Sequence, residues 1–383
     1  MNTKKIIFWL PCYPDVTYSF IAELAGREHN DVTVVCLSGL PEERGGIYSQ
    51  DALKSLCKVY ECVDDIGTSS FVERMISKNE DSIHIFGGFL GRVGEVLEYY
   101  NNLGYKRAVV ITEKPSILPV KRFNRLVGFL KRLRSRRIYS RQYTKVASAV
   151  AAVYVTGEAG VEQLASYGIP REKLFKFMYT HIEEHITAPK RETDGEVRFV
   201  YVGRFDFLRR GIDSLIYAFN GLRSTNWHLD LVGGYGDDKD AIISWAESKD
   251  RVSFVGSWRN DEVINRLRNY DVCISPTKVD GWRIQVNQAI MAGIGTITTN
   301  EAISDELVTA SGSGIVVGAF DKRQLKKAVE SLLAAPEQID EWKRNAEAFA
   351  PKITNKAFAD YFERGLDFVL DSEYKEGRPE CLW

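Results

Sequence analysis

The stretch VDGWRIQVNQAIMAG, residues Val279–Gly293, decides the fold. It follows the strand-like run DVCISPT, Asp271–Thr277, and begins with a turn at Asp280. The apolar positions after this turn recur at helical spacing, which predicts a helix. Asp280 and Gln288 are eight residues apart, and this separation corresponds to about 12 Å along a helix. Both side chains could therefore contact one extended ligand, although an N-cap aspartate and a solvent-facing glutamine are simpler interpretations of each residue alone.

Arginines mark an earlier strand-to-helix turn. Arg204 follows the strand-like run Val197–Gly203, and Arg210 and Gly211 stand just before the next helical pattern. Guanidinium groups suit a diphosphate because they are permanently charged and donate hydrogen bonds in a fork. The alternative is a pair of surface arginines bonded to aspartates a few residues away. Because ligands of open parallel sheets collect at the carboxyl ends of strands, the two turns together predict a diphosphate site.

A third turn lies between them, in Leu231–Asp237, LVGGYGD. Its glycines, Gly233 among them, could bring backbone N–H groups close to a ligand. The pattern is not the G-x-G-x-x-G of dinucleotide-binding proteins, and a glycine turn that ends a strand explains it equally well. What favours a site is the order and spacing of all three turns.

Composition excludes several classes of protein. The chain has 383 residues, 44% hydrophobic and 11% aromatic, with a net charge of −1. This length suits two domains, and the charge provides no general field for nucleic acid. The six cysteines form no C-x-x-C pair, which favours a reduced, cytoplasmic compartment. The N-terminal apolar run is broken by prolines and predicts a first strand, and no segment reaches the ~18 apolar residues of a membrane-spanning helix.

Short apolar runs alternate with helical patterns throughout, which predicts parallel sheets covered on both faces. We expect an α/β protein with two Rossmann-like domains whose parallel sheets face each other across a cleft: an N-terminal domain of residues 1–186, completed by a C-terminal helix in 355–383, and a C-terminal domain of residues 187–354. The polar stretch His181–Glu196 would link them. The predicted strands are Lys5–Pro11, Asp31–Ser38, Ser82–Gly87, Lys106–Thr112, Ala151–Thr156, Leu174–Met178, Val197–Gly203, Trp227–Gly233, Val252–Gly256, Val272–Pro276, Gly295–Thr299 and Gly314–Val317; the first predicted helix is Ser19–His29, with Ser19 as N-cap.

The second half resembles the donor domain of retaining GT-B glycosyltransferases of family 4, the glycosyl transferases group 1 type. That family has a Gly-Arg segment, a Lys/Arg-Gly pair, a strand that ends in glycines, a strand that leads to Pro-Ser, and Glu-Gly-Phe-Gly with a second Glu eight residues after the first. This chain has corresponding residues in the same order: Gly203-Arg204, Arg210-Gly211, Leu231-Val232-Gly233, Pro276-Thr277, Asp280-Gly281-Trp282 and Gln288.

This chain departs from the family pattern at several positions. Asp280 replaces the first Glu, Gln288 replaces the second, and Arg283 replaces the glycine after the aromatic residue. Arg283 either adds a cation near the phosphates or fills space. An amide still accepts and donates hydrogen bonds to ribose hydroxyls. The family's glycine-rich loop after the first strand and its histidine after a middle strand also have no clear match.

The resemblance implies transfer of a sugar, with retention, from a nucleotide-diphosphate sugar of the UDP or GDP type to a glycan or lipid-linked acceptor in surface polysaccharide or glycolipid biosynthesis. Arg204, Arg210 and Asp280 would be catalytic. Neither a cofactor nor a metal is expected. The donor would also contact Gly203, Gly233, Gly281, Trp282, Arg283 and Gln288, and the acceptor would meet Asp15 and Glu113.

Two other functions remain open. The loss of both family carboxylates is compatible with a catalytically silent GT-B protein that binds or assists a partner. An epimerase or hydrolase that shares the architecture would release altered or free sugar without an acceptor. The residues do not decide between these activities, nor do they define the donor base, the sugar or the linkage.

A basic segment stands apart from the predicted site. Residues 114–156 contain eleven Lys or Arg and no Asp or Glu, and Phe123, Leu126, Val127, Leu130 and Leu133 recur at helical spacing. One interpretation is a helix with a solvated basic face. Another is a surface within 121–145 that meets anionic lipids, which would place the protein peripherally at the inner membrane face. The segment could also bind an acceptor's diphosphate; nucleic acid is disfavoured because no aromatic stacking platform is present.

Overall fold

The computed structural model describes residues 3–14, 17–39, 50–61, 65–116, 125–180, 186–191 and 195–383. The chain forms two compact units. The first consists of Met1–Pro115, Phe129–His181 and Asn355–Leu382, and the second of Ser116–Gly128, Ile182–Thr354 and Trp383. Each unit contains one sheet of parallel strands with helices, so the predicted α/β class with two Rossmann-like sheets is confirmed.

In the described residues of the first unit, seven strands pair in the order β3-β2-β1-β4-β5-β6-β7. Most of them are buried apolar runs, which is the pattern that predicted them. The sequence did not predict β3, because this edge strand is largely exposed and lacks an apolar run. The strands are β1 (Lys4–Leu10), β2 (Asn30–Cys36), β3 (Lys58–Glu61), β4 (Ile83–Phe86), β5 (Ala108–Thr112), β6 (Val150–Thr156) and β7 (Leu174–Phe177).

Seven helices accompany this sheet in the described part of the chain: α1 (Tyr18–Ala25), α2 (Gln50–Leu56), α3 (Asp65–Ser77), α4 (Gly91–Asn102), α5 (Arg125–Val146), α6 (Gly157–Ser166) and α14 (Asn355–Leu370). The prediction of a first helix over Ser19–His29 was wrong in its bounds. Thr17 is the N-cap and Gly26 the C-cap, and the next strand begins at Asn30 because its residues pair with β1.

The C-terminal helix α14 is part of the first unit and packs on α1. Phe20 of α1 lies 4.8 Å, centroid to centroid, from the ring of Phe362. Beside this contact the buried Glu363 accepts hydrogen bonds from Arg27, His29 and Asn30. Aromatic burial stabilises the contact between the two helices, and the hydrogen bonds of Glu363 add polar contacts between α14 and the residues around α1.

The described residues of the second unit form a six-stranded parallel sheet in the order β10-β9-β8-β11-β12-β13. Its strands are β8 (Val197–Val202), β9 (Trp227–Val232), β10 (Val252–Gly256), β11 (Val272–Ser275), β12 (Gly295–Thr299) and β13 (Gly314–Val317). Its helices are α7 (Ile212–Phe219), α8 (Lys239–Glu247), α9 (Val263–Leu267), α10 (Ile284–Ala292), α11 (Asp305–Ser311), α12 (Lys322–Ala334) and α13 (Glu337–Phe349). Among all the helices in the described ranges, none combines the length and apolar character needed to cross a bilayer.

Candidate functional site

The site lies in the second unit, where the strand order changes direction. β8 pairs with β9 on one side and with β11 on the other, so the chain winds outward in opposite directions from the β8–β11 pair. In open parallel sheets, ligands bind outside the carboxyl ends of the strands at such a switch point. The turns after β8 and β11 carry Gly203, Arg204, Asp280 and Gly281.

Close backbone packing joins the Arg210 turn to the turn after β11. Gly211 has a φ of +67°, and a Cβ at this position would lie 1.9 Å from the carbonyl oxygen of Pro276. Glycine is therefore required by both conformation and space. The amide of Lys278 also donates to the carbonyl of Arg209 at 2.8 Å. As a result, Arg210 lies beside Asp280.

Arg210 and Asp280 form a mostly buried ion pair, with side chains that are 20% and 13% exposed. Burial lowers the pKa of Arg210, but the Asp280 carboxylate together with Tyr201 and Tyr235 more than offsets this, so the net pKa is raised. The other oxygen of Asp280 accepts from the amide of Gly281 at 2.9 Å. Asp280 is not the N-cap of α10, because Arg283 holds that position.

Arg204 faces solvent at the edge of the site. Its Nη2 donates to Asp237 Oδ1 at 2.9 Å, and its guanidinium carbon lies 5.9 Å from the ring centroid of Tyr235. Tyr235 is 57% exposed, and its carbonyl accepts from the amide of Phe205 at 2.9 Å. The sequence analysis singled out this glycine-rich loop but neither Tyr235 nor Asp237; an exposed aromatic between glycines was the available signal.

Arg283 is buried directly behind the Gly203 turn. Its Nε donates to Ser275 Oγ at 2.9 Å and its Nη2 to the carbonyl of Val202 at 2.6 Å. Gly203 has a φ of +147°, and a Cβ there would lie 2.7 Å from Nη2 of Arg283. Burial lowers the pKa of Arg283, and the positive charge of Arg210 lowers it further.

Gln288 does not face solvent. The residue is 2% exposed, and within the described part of the chain its Oε1 has no hydrogen-bond donor; the same holds for the buried hydroxyl of Thr277. Buried polar atoms without partners are costly, so a ligand hydroxyl that donated to Gln288 would be favoured.

The remaining predicted donor contacts also lie near the strand ends. Trp282 is buried and donates from Nε1 to Asn287 Oδ1 at 2.9 Å. Gly233 follows β9 and donates its amide to the carbonyl of Gly256 at 2.9 Å. The donor-binding roles of these residues stay predictions.

The two acceptor candidates belong to the N-terminal part of the chain. Glu113 follows β5 and accepts a hydrogen bond from the Tyr179 hydroxyl at 3.0 Å. Asp15 lies outside the described residues. The structure therefore gives a location for Glu113 only, and both acceptor roles stay predictions.

Two parallel α/β sheets, with arginines at the switch point of the second, define a protein of the GT-B glycosyltransferase fold. Residues 183–349 match the family model of the glycosyl transferases group 1. The sequence matches none of the curated proteins with which it was compared.

Solved structures share the fold over nearly the whole chain. WaaG, a glycosyltransferase involved in lipopolysaccharide biosynthesis, is 16% identical with a TM-score of 0.63, and the match covers 96% of this chain and 100% of WaaG. Anabaena HepE in complex with UDP-glucose is 11% identical with a TM-score of 0.67, over 95% and 99% of the two chains. A putative UDP-N-acetylglucosamine 2-epimerase from Listeria monocytogenes is 12% identical with a TM-score of 0.61, over 99% of both chains. At these identities the similarity to the solved structures shows the fold alone.

Proposed function

We propose that this protein is a retaining glycosyltransferase that moves a sugar from a nucleotide-diphosphate sugar to a glycan or lipid-linked acceptor in surface polysaccharide or glycolipid biosynthesis. The observation that supports this most directly is the contact between Arg210 and Asp280 beside Arg204 at the switch point of the second sheet. This arrangement places cations that can bind a diphosphate next to a carboxylate that can accept hydrogen bonds from the hydroxyl groups of a sugar.

Each group has a definite task in this proposal. Arg204 and Arg210 bind the diphosphate and stabilise the negative charge that develops on it as the glycosidic bond breaks. Asp280 accepts hydrogen bonds from the transferred sugar. Gln288 accepts one from a ribose hydroxyl, which satisfies its buried Oε1.

Gly203, Gly233, Gly281 and Trp282 line the proposed donor site. The acceptor hydroxyl attacks the anomeric carbon on the face from which the diphosphate departs, which retains the configuration. The bond to the diphosphate breaks, and the hydroxyl proton passes to an oxygen of the departing diphosphate. Because guanidinium groups supply the positive charge, the proposed reaction requires no metal ion, and activity should survive EDTA.

The donor is of the UDP or GDP type. UDP is the first probe, because Anabaena HepE, which shares the fold, was solved in complex with UDP-glucose. WaaG acts in lipopolysaccharide biosynthesis, which supports a lipid-linked acceptor for this chain as well.

Helix α5 is the proposed contact with an anionic membrane at the cytoplasmic side. Four of its apolar side chains are 40–57% exposed: Phe129, Leu130, Leu133 and Ile138. Exposed basic residues lie between them, among them Lys131, Arg132, Arg134, Arg136 and Arg137. Phe129 and Ile138 lie about half a turn apart around the helix, so the exposed apolar groups do not form a single face. Exposed apolar and cationic groups together suit the headgroup region of an anionic bilayer; residues 121–124 of the proposed surface lie outside the described chain.

The decisive experiment is product analysis with the purified chain, radiolabelled UDP- or GDP-sugars and a panel of acceptors, with and without EDTA. We expect label to move to an acceptor with retained anomeric configuration, as read by NMR. Replacing Arg204 and Arg210 by alanine together should abolish transfer, whereas Arg259→Ala, in an exposed pair with Asp261, should preserve it.

Other products would overturn the proposal. Free sugar without an acceptor would identify a hydrolase, and an altered nucleotide sugar would identify an epimerase. Nucleotide-sugar binding without turnover would identify an accessory protein, the alternative raised by Asp280 and Gln288 in place of two glutamates. Unchanged transfer in the double arginine variant would show that the roles assigned to these residues are wrong.

A further inference from the structure

Arg283 occupies an unusual place for a charged side chain. The residue is 3% exposed, and its guanidinium donates to the carbonyl of Val202 at the end of β8 and to Ser275 Oγ at the end of β11. It therefore connects the carboxyl ends of the two strands that form the switch point.

No carboxylate in the described ranges lies at ion-pair distance from Arg283. The neighbouring arginines differ in this respect, since Arg210 pairs with Asp280 and Arg204 with Asp237. A buried cation without a counter-charge is energetically unfavourable. Arg283 thus adds a buried positive charge that no ion pair of the described residues neutralises, and an anionic ligand would balance it.

Arg283 also defines the shape of the turn that carries Arg204. Its Nη2 fills the space where a Cβ of residue 203 would stand. Its guanidinium carbon lies 5.8 Å from the ring centroid of Tyr201, and the Tyr201 hydroxyl donates to the carbonyl of Arg204 at 2.7 Å. Arg283 thereby supports the turn through Val202 on one side and through Tyr201 on the other.

We propose that Arg283 is a positioning residue for the donor diphosphate: it holds the Gly203–Arg204 turn from behind and adds a permanent positive charge to the site without contacting the ligand. This inference rests on the proposed function and makes the site selective for ligand charge. A nucleoside diphosphate gains more from this charge than the corresponding monophosphate does, because Coulomb attraction grows with ligand charge and is strong where water is excluded.

The test measures the affinities of UDP, UMP, GDP and GMP by calorimetry for the wild-type chain and four variants. Arg283→Gln keeps N–H donors but removes the charge, Arg283→Met removes both, and Arg283→Lys keeps the charge. Arg268→Met is the matched control, because the half-buried Arg268 also bonds backbone carbonyls in this unit and lies outside the proposed site. Thermal unfolding reports whether each variant is folded.

We expect Arg283→Gln and Arg283→Met to bind the diphosphate that the wild type prefers roughly tenfold more weakly, equivalent to about 1.4 kcal/mol. Their preference for diphosphate over monophosphate should fall, Arg283→Lys should restore much of it, and Arg268→Met should keep the wild-type preference. The inference would be overturned if a folded Arg283→Gln or Arg283→Met variant kept the wild-type preference for diphosphate. It would also be overturned if the variant lost affinity equally for mono- and diphosphate. Either result would leave the proposed function intact. Failure of the wild type to bind either diphosphate would overturn both.

Discussion

Arg210 and Asp280 are seventy residues apart in the sequence and in direct contact at the carboxyl end of the second sheet. The contact exists because Gly211 lets the backbone of its turn meet Pro276. Each side chain neutralises the other, so neither is free to bind a ligand at full strength. A diphosphate that engages Arg210 would release Asp280 to accept hydrogen bonds from the attached sugar.

Asp280→Asn should separate nucleotide binding from transfer. Without the competing carboxylate, Arg210 is available to bind phosphate. UDP or GDP should therefore bind roughly threefold to tenfold more tightly, which corresponds to a gain of about 0.7–1.4 kcal/mol in binding free energy. Transfer should slow because the sugar loses an anionic acceptor. Calorimetry and initial rates measure the two effects. Asp213→Asn, which breaks a pair with Lys278, is the control; weaker nucleotide binding by Asp280→Asn would show that Asp280 orients Arg210 for the ligand.

His84 should make the stability of the first unit sensitive to acid. Its ring is buried, accepts from Trp9 Nε1 at 3.0 Å and donates to the carbonyl of Asn79 at 3.0 Å, and burial lowers its pKa to about 4. The neutral form is thus favoured in the folded chain. The stabilisation that the neutral His84 ring contributes is complete above about pH 6.5, the pKa of histidine in the unfolded chain. It falls by ~1.4 kcal/mol per pH unit as the pH drops from there toward 4.

Calorimetric unfolding between pH 7 and pH 5 checks this expectation. As the pH is lowered, the melting temperature of the wild type should fall more steeply than that of His84→Gln, because glutamine cannot take up the proton. His228→Gln, at a half-buried histidine of the second unit, should show the same steep fall in melting temperature as the wild type. Parallel curves for the wild type and His84→Gln would contradict the assignment.

Asp271 should be a major contributor to the stability of the second unit. Its buried carboxylate accepts from the amide of Arg198 at 2.8 Å, from Arg191 at 2.8 Å and from Lys343 at 2.6 Å. Asp271→Ala removes a buried carboxylate that two mostly buried cations share, which typically costs about 3–5 kcal/mol. Denaturant unfolding measures the loss. Asp261→Asn removes one partner of an exposed pair and should cost less than about 1 kcal/mol; similar losses in both variants would argue against this view of Asp271.

Helix α5 should bind anionic vesicles. The wild type should sediment with vesicles of phosphatidylcholine and phosphatidylglycerol but not with phosphatidylcholine alone. Replacing Arg134 and Arg137 by glutamine should weaken binding by ~1 kcal/mol per charge, and replacing Phe129 and Leu130 by serine should weaken it through lost apolar burial. Phe320→Ser, at an exposed aromatic elsewhere, should have no effect. If vesicle binding depended neither on lipid charge nor on the α5 replacements, α5 would be excluded as the membrane-binding surface.

The sequence by itself determined the rhythm of strands and helices. Runs such as β6 and β11 are apolar on both faces, and such runs occur where a strand lies within a parallel sheet covered on both sides. The exposed edge strand β3 carries no such signal. The positions of the candidate site residues also followed from the sequence, because strand-to-helix turns in open parallel sheets always lie at the same edge.

Only the tertiary structure decided what those residues touch. Gln288 is buried on α10, a helix that packs on α9 and α13, whereas a helical pattern alone leaves its orientation open. Arg283 and Asp280 are three residues apart, yet one lies behind the Gly203 turn and the other beside Arg210. Periodicity arises from neighbours along the chain, whereas ion pairing and burial depend on residues brought together from distant positions. For that reason the sequence determined where the site lies, and the fold decided its charge balance.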